Sequence, residues 1–317
     1  MPGAKWTLVL WVVGCVAATA QEFEKIGTTG FTFLEVPVSA RVLALGEAGS
    51  ALSDAGAEGI YCNPSAVAWQ DARWELHLAH TSWYVGTTLQ GVAVTWGQGK
   101  FGTIGFHVRH FDFGKMERTT NPTADQAGSY ISLGTYSAGA YAVGLTYARA
   151  LTDKFSFGGT IKYVRETIDV YSADNVVADL GFLYHTGFHT LRIGASLHNF
   201  GLDSKYAEEK FKMPQMLRMG LAVDVLASSA RDNYLALMAE AAHPNDASER
   251  LHVGLEGGLG GVGVVRAGYK FGYADEGLCL GGGVRQKMYG MRLALDVAWM
   301  EHASLNTALL YSVAVEF

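Results

Sequence analysis

Four histidines stand in pairs, His77 with His80 and His107 with His110, and each pair invites a test for metal binding. A bound metal needs side chains that converge from one side. The alternation around both pairs predicts strands, and on a strand residues three apart point to opposite faces. Neither pair can then chelate one ion, so no metal is expected. Gly258-Leu259-Gly260-Gly261-Val262-Gly263 satisfies G-x-G-x-x-G, a pattern that holds a pyrophosphate only where the glycines open a helix. Here Val264, Val265, Ala267 and Tyr269 continue as a strand, which predicts a hairpin turn instead. No H-E-x-x-H, paired-cysteine or G-x-S-x-G spacing occurs. The chain reads as a non-enzyme without cofactor, although a hydrolytic site gathered from separate strands would leave no local motif. After residue 20 only Cys62 and Cys279 remain, and a disulfide and two free thiols both stay open.

A larger set of charged residues shares one face of the candidate strands. It comprises Glu75, His77, His107, Arg109, Lys162, Asp179, Arg192, Arg218, Asp224, Glu240, Glu256, Arg266, Lys270, Arg285, Arg292 and Asp296. The signs are mixed. Such a face can form a salt-bridged interior that holds another segment in place, or it can line a path for a substrate.

The elements that carry these residues have a regular rhythm. From Trp74 to Phe317 roughly ten-residue segments alternate apolar with small or polar residues, the pattern of a transmembrane β-barrel. About fourteen candidate strands result. The first covers 74–83, the third and fourth 101–110 and 138–150, the fifth and sixth 154–165 and 175–186, and the last 306–317. In the last, Leu309, Tyr311, Val313, Val315 and Phe317 share the lipid face, opposite Ser312, Ala314 and Glu316. Connections alternate between tight turns, such as Gly97–Lys100, Thr152-Asp153 and Met288–Gly290, and longer links, such as Phe111–Ser137, Glu166–Asn175 and Gly201–Met213. With both termini in the periplasm, the tight links fall on the periplasmic rim. Aromatics stand at many strand ends, among them Trp74, Trp83, Tyr84, Trp96, Tyr163 and Trp299; some of them are expected to form interfacial girdles, while aromatics also favour strands as such.

Composition agrees with this class. The 317 residues include 39 Gly and only 17% charged residues, against averages of roughly 7% and 25%. No window after residue 20 approaches the ~18 uninterrupted apolar residues of a membrane helix. Lys5, the apolar Trp6–Val13 stretch and Ala18-Thr19-Ala20 predict a secretory signal peptide over 1–20, with a lipoprotein box at Cys15 as the alternative. Removing Lys5 from 24 basic residues leaves 23 against 30 acidic, a net charge near −7 that argues against a nucleic-acid partner. Residues 21–72 lack the strand rhythm yet are too apolar for a free tail. They predict a plug with a short helix near Ser39–Gly49 and a turn at Asn63-Pro64, ahead of a barrel over 73–317.

Gly27–Leu34, Ser39-Ala40-Arg41 through Gly46-Glu47-Ala48, and Ile60-Tyr61-Cys62-Asn63-Pro64-Ser65 resemble the amino-terminal pattern of the PorV/PorQ family. That family is similar to the long-chain fatty-acid transporter (FadL-like) barrels and to an uncharacterised spirochaete family. The Tyr147–Asp153 hairpin, Asn199-Phe200-Gly201 and the terminal Phe317 add weaker echoes. Two departures stand out: Cys62 replaces an aromatic, and Ser65-Ala66-Val67 replaces Ala-Gly-Leu. The resemblance implies a fourteen-stranded outer-membrane barrel, surrounded by outer-membrane lipid, for passive uptake of hydrophobic small molecules such as long-chain fatty acids. Asn63 and Pro64 would then belong to the plug turn. Phe111, Phe113, Met116, Tyr130 and Ile131 would make the 111–137 connection an outer binding loop, and Phe317 would be read by the barrel-assembly machinery. PorV-like members imply an alternative, a barrel that docks secreted proteins.

Overall fold

The computed structural model describes residues 27–121, 130–206, 209–227 and 232–317. The leader expected at 1–20, residues 122–129 of the 111–137 connection and residues 228–231 lie outside that set.

The alternating segments form strands whose inward residues are buried and whose outward residues are exposed. In chain order they are β1 (Trp74–Ser82), β2 (Thr88–Gly97), β3 (Thr103–Thr120), β4 (Ile131–Ala150), β5 (Phe155–Ile168), β6 (Tyr171–His185) and β7 (Arg192–Phe200). A small hairpin of β8 (Ser204–Tyr206) and β9 (Glu209–Phe211) follows. The series resumes with β10 (Met216–Ala227), β11 (Tyr234–Pro244), β12 (Arg250–Leu259), β13 (Gly263–Phe271), β14 (Glu276–Met288), β15 (Met291–His302) and β16 (Ala308–Glu316). All but β8 and β9 belong to one closed antiparallel barrel of fourteen strands, with β7 paired to β10 and β1 to β16. Trp74 and Phe317 exchange both backbone hydrogen bonds at 2.9 Å, which seals the barrel where its first strand meets its last. Closure leaves no strand edge unpaired, the condition a bilayer imposes.

The outward face is greasy. Leu145, Ile161, Val176, Phe182, Met219, Val265 and Tyr311 all point away from the bore and are exposed. So much exposed apolar surface suits lipid and not water. Near the rim that carries Trp74, its ring stacks on Trp96 at 5.3 Å, as an interfacial girdle requires. Tyr84 departs from that expectation. Val85 at φ 56 bends the β1–β2 link, and Tyr84 turns inward, buried against Trp83 and hydrogen-bonded to Glu276 at 3.2 Å.

The links on the opposite rim also differ from expectation. Most of the 111–137 connection is not a loop: β3 and β4 run on to 18 and 20 residues and pair out to Thr120 with Ile131. Likewise β5 and β6 extend through most of the expected 166–175 link to a two-residue turn. Beyond the membrane both faces of a hairpin are wet, so the alternation that marks a strand disappears. Asp112, Gly114, Lys115, Glu117 and Arg118 therefore read as loop while folding as ladder.

Residues 27–72 fill the bore. Ser39 caps α1 (Ala40–Ala44), its hydroxyl accepting from the Val42 amide at 3.1 Å. A second short helix, α2 (Gly59–Cys62), leads to Asn63, whose carboxamide caps the 3-10 turn Pro64–Trp69. Phe33, Leu43, Leu45, Leu52 and Ile60 are almost wholly buried. Cys62 and Cys279 are buried free thiols.

Inward glycines let this segment touch the wall. A Cβ on Gly181 would lie 2.1 Å from Asn63 Oδ1, one on Gly194 would lie 1.9 Å from Ser50 O, and one on Gly268 would lie 2.1 Å from Gly46 N. Overpacking of this kind typically costs about 1–3 kcal/mol. Gly181→Ala is therefore expected to lower the thermal unfolding midpoint in detergent. Gly139→Ala, whose Cβ would meet nothing nearer than 3.5 Å, is expected to leave it unchanged.

Candidate functional site

The charged face foreseen along the strands is a set of fasteners between wall and interior segment. Arg41 on α1 donates to both oxygens of Glu256 on β12, each at 2.8 Å, and to Asp54 Oδ1 at 3.0 Å. Arg266 on β13 donates to the same Glu256 at 2.7 Å and to Asp296 on β15 at 2.5 Å. One carboxylate thus joins the two guanidiniums. After α1 the chain turns through Glu47 at φ 69, which sets its carboxylate between Lys270 Nζ at 2.5 Å and Arg218 at 3.2 Å. Arg218 also meets Glu240 at 3.1 Å, and Glu240 accepts from the Ser50 amide at 2.8 Å.

The remaining inward charges sit around these. Glu75 packs beside Gly56, Lys162 pairs with Asp179 at 2.8 Å, Arg192 pairs with Asp224 at 2.8 Å, and Arg285 approaches Tyr234 at 3.4 Å. Arg292 pairs with Glu316 at 3.1 Å, but at the wet rim, where its side chain is 53% exposed. His107 and Arg109 are buried on the inward face of β3.

Asn63 and Pro64 sit deep, toward the Trp74 rim. Asn63 donates to Ser50 O at 2.6 Å and to Phe182 O at 3.0 Å, and accepts from Ser65. Trp69 extends the seal by donating to Ser156 at 2.8 Å and packing on His185.

At the opposite rim the bore opens into a vestibule of about 430 Å³. Phe33, Trp83, Tyr84, Phe111 and Phe113 give it an aromatic wall. The Phe111 and Phe113 rings meet edge-on at 4.7 Å. The facing side carries both signs, Arg218, Arg250 and Lys270 with Glu35, Glu47 and Glu276. Arg250 and Lys270 lie 4.5 and 4.1 Å over the Tyr273 ring, and Arg250 forms no ion pair among the described residues. Against Glu35, Val36 and Pro37 lies a second cavity of about 50 Å³ that reaches Arg109, Lys162, His198 and Asn199.

Of the loop residues expected to bind ligand, the structure brings Phe111 and Phe113 to the vestibule. Met116, Tyr130 and Ile131 stand higher on the β3–β4 hairpin and do not line it. Sequence reasoning missed Trp83 and Tyr84 as lining residues, along with Arg250, Tyr273 and Glu35. It also missed Arg41, Glu47, Asp54 and Glu58 as the interior half of the fasteners. Four charges within a small-residue-rich stretch were the available signal.

No family model matches the sequence, and no curated protein matches it. Solved structures do. The chain superposes on the CymD monoaromatic hydrocarbon channel with a TM-score of 0.61 at 11% identity, covering 91% of this chain and 99% of that one. The Pseudomonas putida toluene transporter TodX gives 0.58 at 11% identity, covering 92% and 98%. A Pseudomonas aeruginosa FadL homologue gives 0.52 at 12% identity, covering 89% and 98%. The chain has the fold of these channels. The likeness to FadL-type barrels therefore holds for the fold, whereas the PorV/PorQ likeness rests on the sequence motifs alone.

Two outcomes follow from the fasteners. Removing one partner of a buried ion pair leaves a stranded charge and costs about 3–5 kcal/mol. Glu256→Ala, which removes the carboxylate shared by Arg41 and Arg266 and leaves them Asp54 and Asp296 alone as close partners, should lower the unfolding midpoint and raise single-channel conductance in planar bilayers. Glu35 supplies the second outcome. Burial raises its pKa from 4.5 to about 7, with Arg250 pulling the other way and Asp246 adding to the rise. A raised folded-state pKa gives stability that is complete below pH 4.5 and is lost as the pH climbs to about 7. Glu35→Gln, neutral throughout, is expected to flatten that decline in a pH series of unfolding midpoints.

Proposed function

We propose that the chain is an outer-membrane channel for passive uptake of hydrophobic small molecules, with long-chain fatty acids as its substrates and no catalytic role. The vestibule carries this reading. It is a concave, aromatic-walled chamber on the rim opposite the Trp74–Phe317 seam, above a bore blocked by the chain's own amino-terminal segment. Hydrophobic pockets with a few placed polar groups are the usual form of a small-molecule site. The likeness to channels named for monoaromatic hydrocarbons and toluene, and to a FadL homologue, supports hydrophobic cargo. The choice of a fatty acid rests on Arg250, whose guanidinium stacks on Tyr273, lines the vestibule and forms no ion pair among the described residues. In this reading the outward belt faces outer-membrane lipid, and the exposed Phe317 at the end of β16 is presented to the assembly machinery.

The protein purified in mild detergent is expected to retain fatty acid detectable by mass spectrometry. Phe113→Glu places a charge in the aromatic wall and should reduce uptake of labelled oleate by about tenfold, the effect of ~1.4 kcal/mol. Arg250→Gln should weaken oleate uptake while sparing toluene. Toluene uptake without oleate uptake would replace the substrate, and co-purification of a secreted protein with uptake of neither would favour docking.

A further inference from the structure

The strongest unexplained charge in the molecule is Arg109. It stands on the inward face of β3, 5% exposed, and a guanidinium does not lose its proton in a protein. Nη1 donates to Leu34 O at 2.8 Å, and the guanidinium lies 5.2 Å from the centre of the Tyr61 ring. Nε has no acceptor, and the residue forms no ion pair among the described residues. The neighbouring cation does not share this state. Lys162 on β5 donates to Asp179 at 2.8 Å and to Asn199 Oδ1 at 2.6 Å.

Asp179 is already engaged. Besides Lys162 it accepts the Asn199 amide at 2.8 Å, and its second oxygen lies 3.7 Å from His198 Nδ1. His107, beside Arg109 on the same face, has both ring nitrogens unpartnered and brings no negative charge. Glu35, across the small cavity, faces Arg250 and Arg218 instead. Two buried cations therefore share one carboxylate. A buried charge is tolerated only when it is paired.

We infer that Arg109 and Lys162 form a buried site for one small monovalent anion, a halide or a carboxylate of formate size. The cavity that touches both side chains measures about 50 Å³, and a water molecule occupies roughly 30 Å³ of liquid. It has room for such an ion and none for a hydrocarbon chain. Water would fill the space but leave the charge unbalanced. The ion completes a clamp in which Arg109 ties Leu34 of the interior segment to the wall, with Tyr61 packed beneath it. The inference does not rest on the uptake reading, since it stands on the charge balance of Arg109 and Lys162 alone.

The test uses the whole mature protein in detergent at constant ionic strength, with sodium gluconate replaced stepwise by sodium bromide or sodium formate. The unfolding midpoint is expected to rise saturably with either small anion, and the rise is expected to vanish in Arg109→Gln and shrink in Lys162→Met. Crystals of the unaltered protein soaked in bromide should show an anomalous peak within hydrogen-bond reach of Arg109 Nε. That measurement decides the matter even where a variant fails to fold. A flat midpoint, an undiminished rise in Arg109→Gln, or no bromide peak at Arg109 overturns the inference. So does a rise with decanoate but with neither bromide nor formate, which would make the site part of the path for cargo.

Discussion

Glu256 accepts hydrogen bonds from two guanidiniums at once, Arg41 on the interior segment and Arg266 on the wall. Much of the molecule is arranged around that shared carboxylate. Buried ion pairs contribute little net stability, because desolvation offsets the attraction, but they punish wrong pairings severely. Their effect here is positional. Sliding α1 along the bore would pull Arg41 away from Glu256, and would also separate Glu47 from Lys270 and Arg218. The interior segment is held in register by what it would cost to move it.

The charges and the glycines of the inner wall depend on each other. A carboxylate can reach across to the interior segment only if neighbouring wall positions allow the two backbones to approach. Gly254 meets Leu45, and Gly268 meets Gly46, on the same two strands that carry Glu256, Arg266 and Lys270. Side chains at those glycines would push α1 away and lengthen every ion pair beside it. Period-two geometry makes this arrangement available, since inward positions alternate with lipid-facing ones and each inward position can be given to contact or to charge. Part of the high glycine content thus belongs to the inner surface of a filled barrel, and another part to turns such as those at Gly99, Gly187 and Gly290.

How much of this was legible follows from where each residue sits. Strands that cross the lipid carry a one-sided demand, apolar outside and polar inside, and their ends fell within a few residues of expectation, as for β1 and β16. Where β3 and β4 rise beyond the lipid both faces are wet, and Asp112 to Thr120 gave no alternation to read. The inward charges were visible as a face, but their partners were not. Arg41 and Glu256 are 215 residues apart, and no local pattern encodes a contact at that distance. The vestibule was legible only through Phe111 and Phe113, because Trp83 and Tyr84 resemble girdle aromatics until Val85 turns the link inward.

The same ion pairs bear on how cargo would move in the proposed reading. The aromatic vestibule ends on Arg218, Lys270 and Glu47, and below them lie Glu240, Arg41 and Glu256. A hydrocarbon travelling straight down the axis would have to part buried ions at every level, with no polar atoms of its own to replace the lost bonds. Binding to an apolar wall cannot compensate for a series of stranded charges, since burying a side chain's worth of apolar surface yields only about 1.5–3 kcal/mol. Between vestibule and ionic bore stands the Leu34–Val38 stretch, which carries one buried carboxylate, Glu35, with an unpartnered oxygen. Displacing that stretch breaks fewer ion pairs than displacing α1. Passage by this route would leave the Arg41–Glu256–Arg266 fastening intact, so the barrel could admit a molecule without opening its bore to water.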